Sequence, residues 1–128
     1  LYRNGYAVTE SLFKKEYFRV NRYLDEYTEI EFKKLSAKYW VLSMQAIDVF
    51  LQEKEDVIEI SYEEFSNNPE VYISNIFQKF KIKGQVEFDF STIETRNYKI
   101  DSLRKDELKI LTPILKNGLL KKDYELLY

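Results

Sequence analysis

The chain lacks the residue types on which most cross-linked and catalytic sites depend. Its 128 residues include no cysteine and no histidine. Without cysteine there is no disulfide, no thiolate nucleophile and no cysteine-based zinc site. Without histidine, the commonest general base and metal ligand is missing. No apolar run approaches the roughly 20 residues of a membrane span, and no signal-peptide pattern opens the chain.

A large net charge of either sign is also absent. Twenty basic and 22 acidic side chains give a net charge of -2. Such a chain has no overall field that would attract nucleic acid or an anionic membrane surface. Apolar residues make up 45% and charged residues 33% of the chain, which is typical of a globular protein. We therefore expect one small core, no nucleic-acid partner, and only a local site for any anion.

Apolar residues recur at helical spacing in three long stretches. The stretches run from Tyr6 to about Arg22, over residues 30–51, and from about Arg104 to Asn117. The last is expected to be interrupted or kinked at Pro113 and to be closed by Gly118. In the second stretch the pattern predicts an amphipathic helix. Its apolar stripe comprises Ile30, Leu35, Tyr39, Leu42, Ala46 and Phe50, broadened by Trp40, Ile47 and Leu51.

Two short extended segments accompany the helices. The chain opens in what looks like the end of a strand, and residues 56–61, DVIEIS, have the β-branched content of a short buried strand. Asn68 is expected to cap a helix that begins at Pro69. Residues 84–101 lack periodicity and are predicted to form a long loop, with an extended piece at 86–90. Since two strands cannot bury their own faces and edges, this order predicts part of a parallel sheet covered by helices.

Three sequence blocks carry chemistry or a recognisable pattern. The first, RNGYAVTES, has Arg3 at the strand end and Ser11 eight residues later on the next helix. An arginine can give a forked pair of hydrogen bonds to a phosphate, a serine hydroxyl can add a third, and Gly5 lets the backbone approach closely. The second block, VIEISYEEFSNNPEVYISNIFQKFKI, joins an apolar strand to Tyr62 and to a helix that starts with proline. The third, ELKILTPILKNGLLKKDY, is a helix that closes before a tyrosine.

In this order, the three blocks resemble the sulfotransferases that use 3′-phosphoadenosine 5′-phosphosulfate (PAPS). The resemblance implies an α/β, P-loop-type three-layer α/β/α fold. Residues 1–128 would be the mostly helical C-terminal portion of a single sulfotransferase domain, with the N-terminal phosphosulfate-binding part absent. It also implies that Arg3 and Ser11 bind the 3′-phosphate of PAPS and of its product, adenosine 3′,5′-bisphosphate. Tyr62 would lie beside the adenine, and Arg96 would reach the phosphate from a loop.

The function implied is transfer of a sulfuryl group from PAPS to a hydroxyl or amine acceptor, either a small molecule or a glycan. The family's phosphosulfate loop, its lysine and its base have no counterpart here, so the segment alone is expected to be inactive and to contain no catalytic residue. A cytoplasmic location and a homo-oligomer are compatible with this function. Three positions depart from the family's pattern: Asn97 and Tyr98 replace the Lys-Gly that often follows the loop arginine, and Leu103 replaces a tryptophan.

Simpler interpretations of the same residues remain open. Arg3 and Arg96 could be solvated charges, Ser11 a neutral residue on a helix surface, and Tyr62 an ordinary packing residue, since the chain has 11 tyrosines. The chain could instead be a non-enzymatic helical module that binds a protein partner through its aromatic side chains. A third hypothesis is a kinase-like relative of the same fold that binds a different nucleotide.

Overall fold

Helices account for most of the structure. A computed structural model of the chain describes residues 1–24, 26–84, 87–93 and 98–128, with the backbone alone for residues 23, 24 and 98. The described residues form six helices: α1 (Gly5–Leu24), α2 (Glu29–Glu53), α3 (Tyr62–Asn67), α4 (Pro69–Lys79), α5 (Tyr98–Asp101) and α6 (Lys105–Lys121). The chain divides into two compact units. The bridge unit comprises Leu1–Arg3 and Asp56–Arg96, and the helical unit comprises Asn4–Glu55 and Asn97–Tyr128.

The prediction of an α/β, P-loop-type three-layer fold is wrong. The structure is mostly helical, and the described residues contain no sheet. The two predicted strands meet only in one isolated parallel bridge, between Tyr2 and Ser61. A pair of segments this short does not form a stable sheet by itself. Helical periodicity, which covers far more of the chain, determines the fold class.

The core of the helical unit is built around Trp40. The indole lies so close to two glycines that a Cβ atom would fall 2.9 Å from its Cε3 at Gly5 and 2.6 Å from its Cζ3 at Gly118. Both glycines therefore allow α1 and α6 to approach α2 closely. The other buried apolar side chains of this unit are Tyr6, Ala7, Phe13, Ala37, Met44, Leu103, Leu111, Leu115 and Leu119.

The end predicted for α6 is also wrong. The helix continues through Pro113 and Gly118 to Lys121. Gly118 does not act as a C-terminal cap, because its place in the helix is set by the tryptophan that packs against it. The sequence alone shows a glycine after a periodic stretch, and that is a pattern common to helix ends and to close helix contacts.

Local capping signals position several helix starts. Thr28 and Glu31 form a capping box, in which the Thr28 amide donates to Glu31 Oε2 at 2.8 Å. Ser61 caps α3, accepting a hydrogen bond from the Glu64 amide at 3.1 Å. Helix α4 begins at Pro69 as predicted, although the Asn68 side chain makes no capping hydrogen bond.

The bridge unit buries few side chains. Among its described residues Ile60, Ser61 and Ser66 are buried, and α4 buries none. Residues 87–90 of the predicted extended piece form no strand, and residues 85 and 86 lie outside the described part of the chain. The loop predicted over 84–101 is interrupted by α5 at Tyr98–Asp101.

Candidate nucleotide-binding site

The parallel bridge brings together two residues that the sequence predicts to bind a nucleotide. The Tyr2 amide donates to Ile60 O at 3.0 Å, and the Tyr62 amide donates to Tyr2 O at 2.6 Å. Arg3, which follows Tyr2 on the first segment, and Tyr62 on the second are therefore neighbours. Arg3 ends the first segment, and its guanidinium carbon lies 4.7 Å from the centre of the Tyr62 ring. A guanidinium at this distance from an aromatic face makes a favourable cation–π contact.

A carboxylate also holds the arginine in place. Arg3 Nε lies 4.0 Å from Glu63 Oε1, and the two side chains are only 18% and 17% exposed. Glu63 follows Tyr62 in the first turn of α3. The bridge, the ring and the carboxylate thus fix a largely buried cation beside an aromatic surface. A planar guanidinium of this kind can bind a phosphate through two parallel hydrogen bonds.

Ser11 lies in the helical unit, whereas Arg3 and Tyr62 lie in the bridge unit. Its half-buried hydroxyl accepts a hydrogen bond from Lys99 Nζ at 2.8 Å. Three residues further along each segment, Lys14 Nζ donates to the Ser102 hydroxyl at 3.1 Å. These two hydrogen bonds, each from a lysine to a serine, link the segment around α5 to α1. Ser11 therefore has a hydrogen-bonding partner, Lys99, that was not predicted from the sequence.

A buried group of charges lies in the helical unit. Lys33 Nζ is 2.8 Å from Glu10 Oε2 and 2.8 Å from Glu107 Oε1, and all three side chains are at most 5% exposed. The Lys33 ammonium also lies 4.5 Å from the centre of the Phe13 ring. Glu107 accepts a further hydrogen bond from the Arg104 amide at 2.9 Å, at the start of α6. The cluster thus joins α1, α2 and α6 through charge-assisted hydrogen bonds.

The pKa values of this cluster follow from a competition between burial and pairing. Burial by itself lowers the pKa of Lys33, but the hydrogen bonds and charges of Glu10 and Glu107 outweigh it, so the pKa is raised above 10.5. Burial raises the pKa of Glu107, but hydrogen bonds from Lys33 and from the Arg104 amide outweigh that effect and lower the pKa below 4.5. Lys33 and Glu107 therefore stay charged at neutral pH, which suits a structural ion cluster and not a proton-transfer site.

Comparisons with protein-family models, curated proteins and solved structures give no match for this chain. The resemblance to the PAPS-dependent sulfotransferases therefore remains a prediction from the sequence.

Three further points concern Arg96, metal ions and membrane spans. Arg96 lies outside the described residues. Within the described ranges, no group of three or more potential ligands could hold a metal ion. No described helix is long and apolar enough to cross a membrane.

Two lysines of the helical unit have partners that were not predicted from the sequence. Lys99, the partner of Ser11, sits in a stretch without periodicity, and nothing in that stretch distinguishes it from a surface lysine. Lys33 lies within a helical pattern in which lysine normally faces water. No local signal identifies either residue, because each acquires its role from side chains far away in the sequence.

Proposed function

We propose that this chain provides the 3′-phosphate and adenine side of the nucleotide site in a PAPS-dependent sulfotransferase. The full reaction would move a sulfuryl group from PAPS to a hydroxyl or amine acceptor and leave adenosine 3′,5′-bisphosphate. The observation that carries the proposal is the contact between Arg3 and Tyr62 at the ends of two segments paired in parallel. The two backbone hydrogen bonds of this bridge hold the two side chains next to each other.

The chemistry of this pair suits a phosphorylated nucleoside. A 3′-phosphate carries nearly two negative charges and accepts several hydrogen bonds, which a guanidinium can supply in a fixed fork. A tyrosine ring beside it offers a flat apolar surface for a base. Glu63 Oε1 lies 4.0 Å from Arg3 Nε and helps to orient the guanidinium. A doubly charged phosphate would compete with this carboxylate for Arg3.

The proposal assigns the described residues to binding and not to the transfer step. The sequence has no histidine to act as a general base. Ser11 and Arg96 remain predicted phosphate ligands on the strength of the resemblance, and Ser11 would have to share its hydroxyl with Lys99. We therefore expect the 128-residue chain to bind the bisphosphate and to show no sulfuryl transfer.

The test compares two nucleotides that differ in one phosphate. Calorimetric titration of the chain with adenosine 3′,5′-bisphosphate and with 5′-AMP should show tighter binding of the bisphosphate. Arg3→Ala removes a charge-assisted contact worth about 1.5–3 kcal/mol, so the bisphosphate should bind roughly ten- to a hundredfold more weakly. The affinity for 5′-AMP, which lacks the 3′-phosphate, should change much less.

Arg19→Ala serves as the matched control for this experiment. Arg19 is also an arginine with a glutamate partner, Glu16 at 2.6 Å, but its side chain is 74% exposed. Its removal should leave both affinities unchanged. Equal weakening of the two nucleotides by Arg3→Ala, or no binding of the bisphosphate by the unmodified chain, would contradict the proposal.

A second candidate is a non-enzymatic helical module that binds a protein partner, and one observation favours it. In the bridge unit, α4 and the segment after it line an open groove with the apolar side chains Ile73, Phe77, Ile82, Phe88 and Phe90. Ile82 is 47% and Phe88 42% exposed, so the groove presents apolar surface to solvent. Failure of bisphosphate binding in the titration above would favour this second candidate.

A further inference from the structure

Helix α2 has two apolar faces, and only one of them belongs to the core. Ala37, Trp40 and Met44 are buried against the helices of the same unit. The opposite face carries an outer stripe, which comprises Leu35, Tyr39, Leu42, Ala46, Val49 and Phe50. Five of these side chains are 44–64% exposed: Leu35 44%, Tyr39 64%, Leu42 63%, Val49 56% and Phe50 50%.

We propose that the outer stripe is a self-association surface, on which α2 of a second copy of this chain packs in the antiparallel direction. The proposal goes beyond the proposed nucleotide site and uses none of its residues. Its first support is the spacing of the stripe. From Leu35 to Val49 the apolar positions alternate by four and three residues, the spacing with which two helices pack along a common seam.

The second support is the area that the stripe offers. Fully buried aromatic side chains cover about 150–250 Å² and aliphatic ones roughly 60–120 Å². At the observed exposures, the outer stripe therefore presents on the order of 400 Å² of apolar surface. A stable interface buries about 800 Å² on each partner, of which about 56–65% is apolar. The stripe alone supplies most of the apolar area that a stable dimer needs.

The sizes of the side chains indicate the direction of packing. An antiparallel pair centred near residue 44 places Tyr39 opposite Val49 and Leu42 opposite Ala46, so each layer combines a large and a small side chain. A parallel pair would place Tyr39 against Tyr39 and Ala46 against Ala46. That arrangement would crowd one layer and leave a gap in another, and both faults destabilise a packed interface.

Sedimentation equilibrium over a range of concentrations tests the association itself. We expect a reversible dimer for the unmodified chain. Leu42→Glu should raise the dissociation constant at least about a hundredfold, because a symmetric interface contains the change twice. Phe18→Glu is the matched control, since Phe18 is 70% exposed on α1, outside the stripe, and this variant should still form the dimer. Circular dichroism should show unchanged helix content in both variants.

Distances between spin labels test the direction. The chain has no cysteine, so a single introduced cysteine labels one position in each copy. Lys34→Cys lies ten residues from the proposed centre, which places the two labels about 30 Å apart at 1.5 Å per residue in an antiparallel pair. In a parallel pair they would be roughly 10 Å apart, close to the interaxial distance. A monomeric chain, a dimer insensitive to Leu42→Glu, or a short distance between labels at residue 34 would overturn the proposal.

Discussion

The helical unit and the bridge unit contain similar amphipathic helices but bury their apolar residues very differently. Of the eleven apolar side chains that are buried among the described residues, ten lie in the helical unit and one, Ile60, lies in the bridge unit. Helix α4 has apolar residues at helical spacing, yet it buries none of them. An amphipathic pattern therefore produces a core only where another apolar face lies opposite it.

The difference follows from what each unit can place against a helix. In the helical unit, α2 packs against both α1 and α6. Close approach is possible because Gly5 and Gly118 face Trp40, and the buried cluster of Glu10, Lys33 and Glu107 links the same three helices. In the bridge unit, α4 packs against the short α3, and a single β-bridge offers no sheet surface to cover.

The largest expected effect comes from removing the positive charge at the centre of the helical unit. Lys33→Met keeps the length of the side chain but leaves two buried carboxylates facing each other. Breaking a buried ion cluster in this way should lower the free energy of unfolding by about 3–5 kcal/mol. Lys34→Met changes the exposed neighbour and should stay within about 0.5 kcal/mol. Denaturant unfolding measures both, and equal losses would show that the buried cluster has no special role.

A matched pair of apolar truncations tests the contrast between the two units directly. Leu115 is fully buried in the helical unit, so Leu115→Ala should lower the free energy of unfolding by about 2–5 kcal/mol. Val71 is 56% exposed on α4, so Val71→Ala should change it by less than about 0.5 kcal/mol. Thermal and urea unfolding of the two variants provide the comparison. A loss above about 1 kcal/mol for Val71→Ala would mean that the bridge unit has a tighter core than its exposures indicate.

A smaller effect is expected from acid, because protonation neutralises Glu107 but leaves its side chain in place. Its pKa is lowered below 4.5 in the folded chain, so the stabilisation it provides is complete above that pH. This stabilisation is lost as the pH falls through the folded-state pKa. Free energies of unfolding for the native chain and for Glu107→Gln should therefore differ by a constant amount near neutral pH and converge in acid. A difference that stays constant down to pH 3 would refute this role for Glu107.

Much of the helical content could be predicted from the sequence. The predicted stretches at Tyr6 to Arg22 and at residues 30–51 correspond to α1 and α2, with ends that differ by a few residues. The start of α4 at Pro69 was also predicted correctly. These successes rest on local physics, since the helical repeat, the fixed φ of proline and side-chain caps act within a few residues.

The candidate site was only partly predictable. Arg3 and Tyr62 were named from sequence and are neighbours in the bridge unit, whereas the hydrogen bond between Ser11 and Lys99 was not expected. The sheet was predicted from two apolar segments, but a sheet depends on partners along its edges, and a single bridge is all that the described residues form. Pairing between distant segments cannot be read from either segment alone.

The sequence by itself determined where this chain is helical and where several of its helices begin, because those features depend on neighbours along the backbone. Only the tertiary structure decided which face of α2 is buried. The regular stripe that marks this helix in the sequence contains Leu35, Tyr39 and Leu42, which are exposed, whereas the buried face includes Lys33 and Ser36. The physical reason is that burial depends on what lies opposite a side chain. A lysine can be buried where two carboxylates meet it, and a leucine stays exposed until an apolar partner covers it.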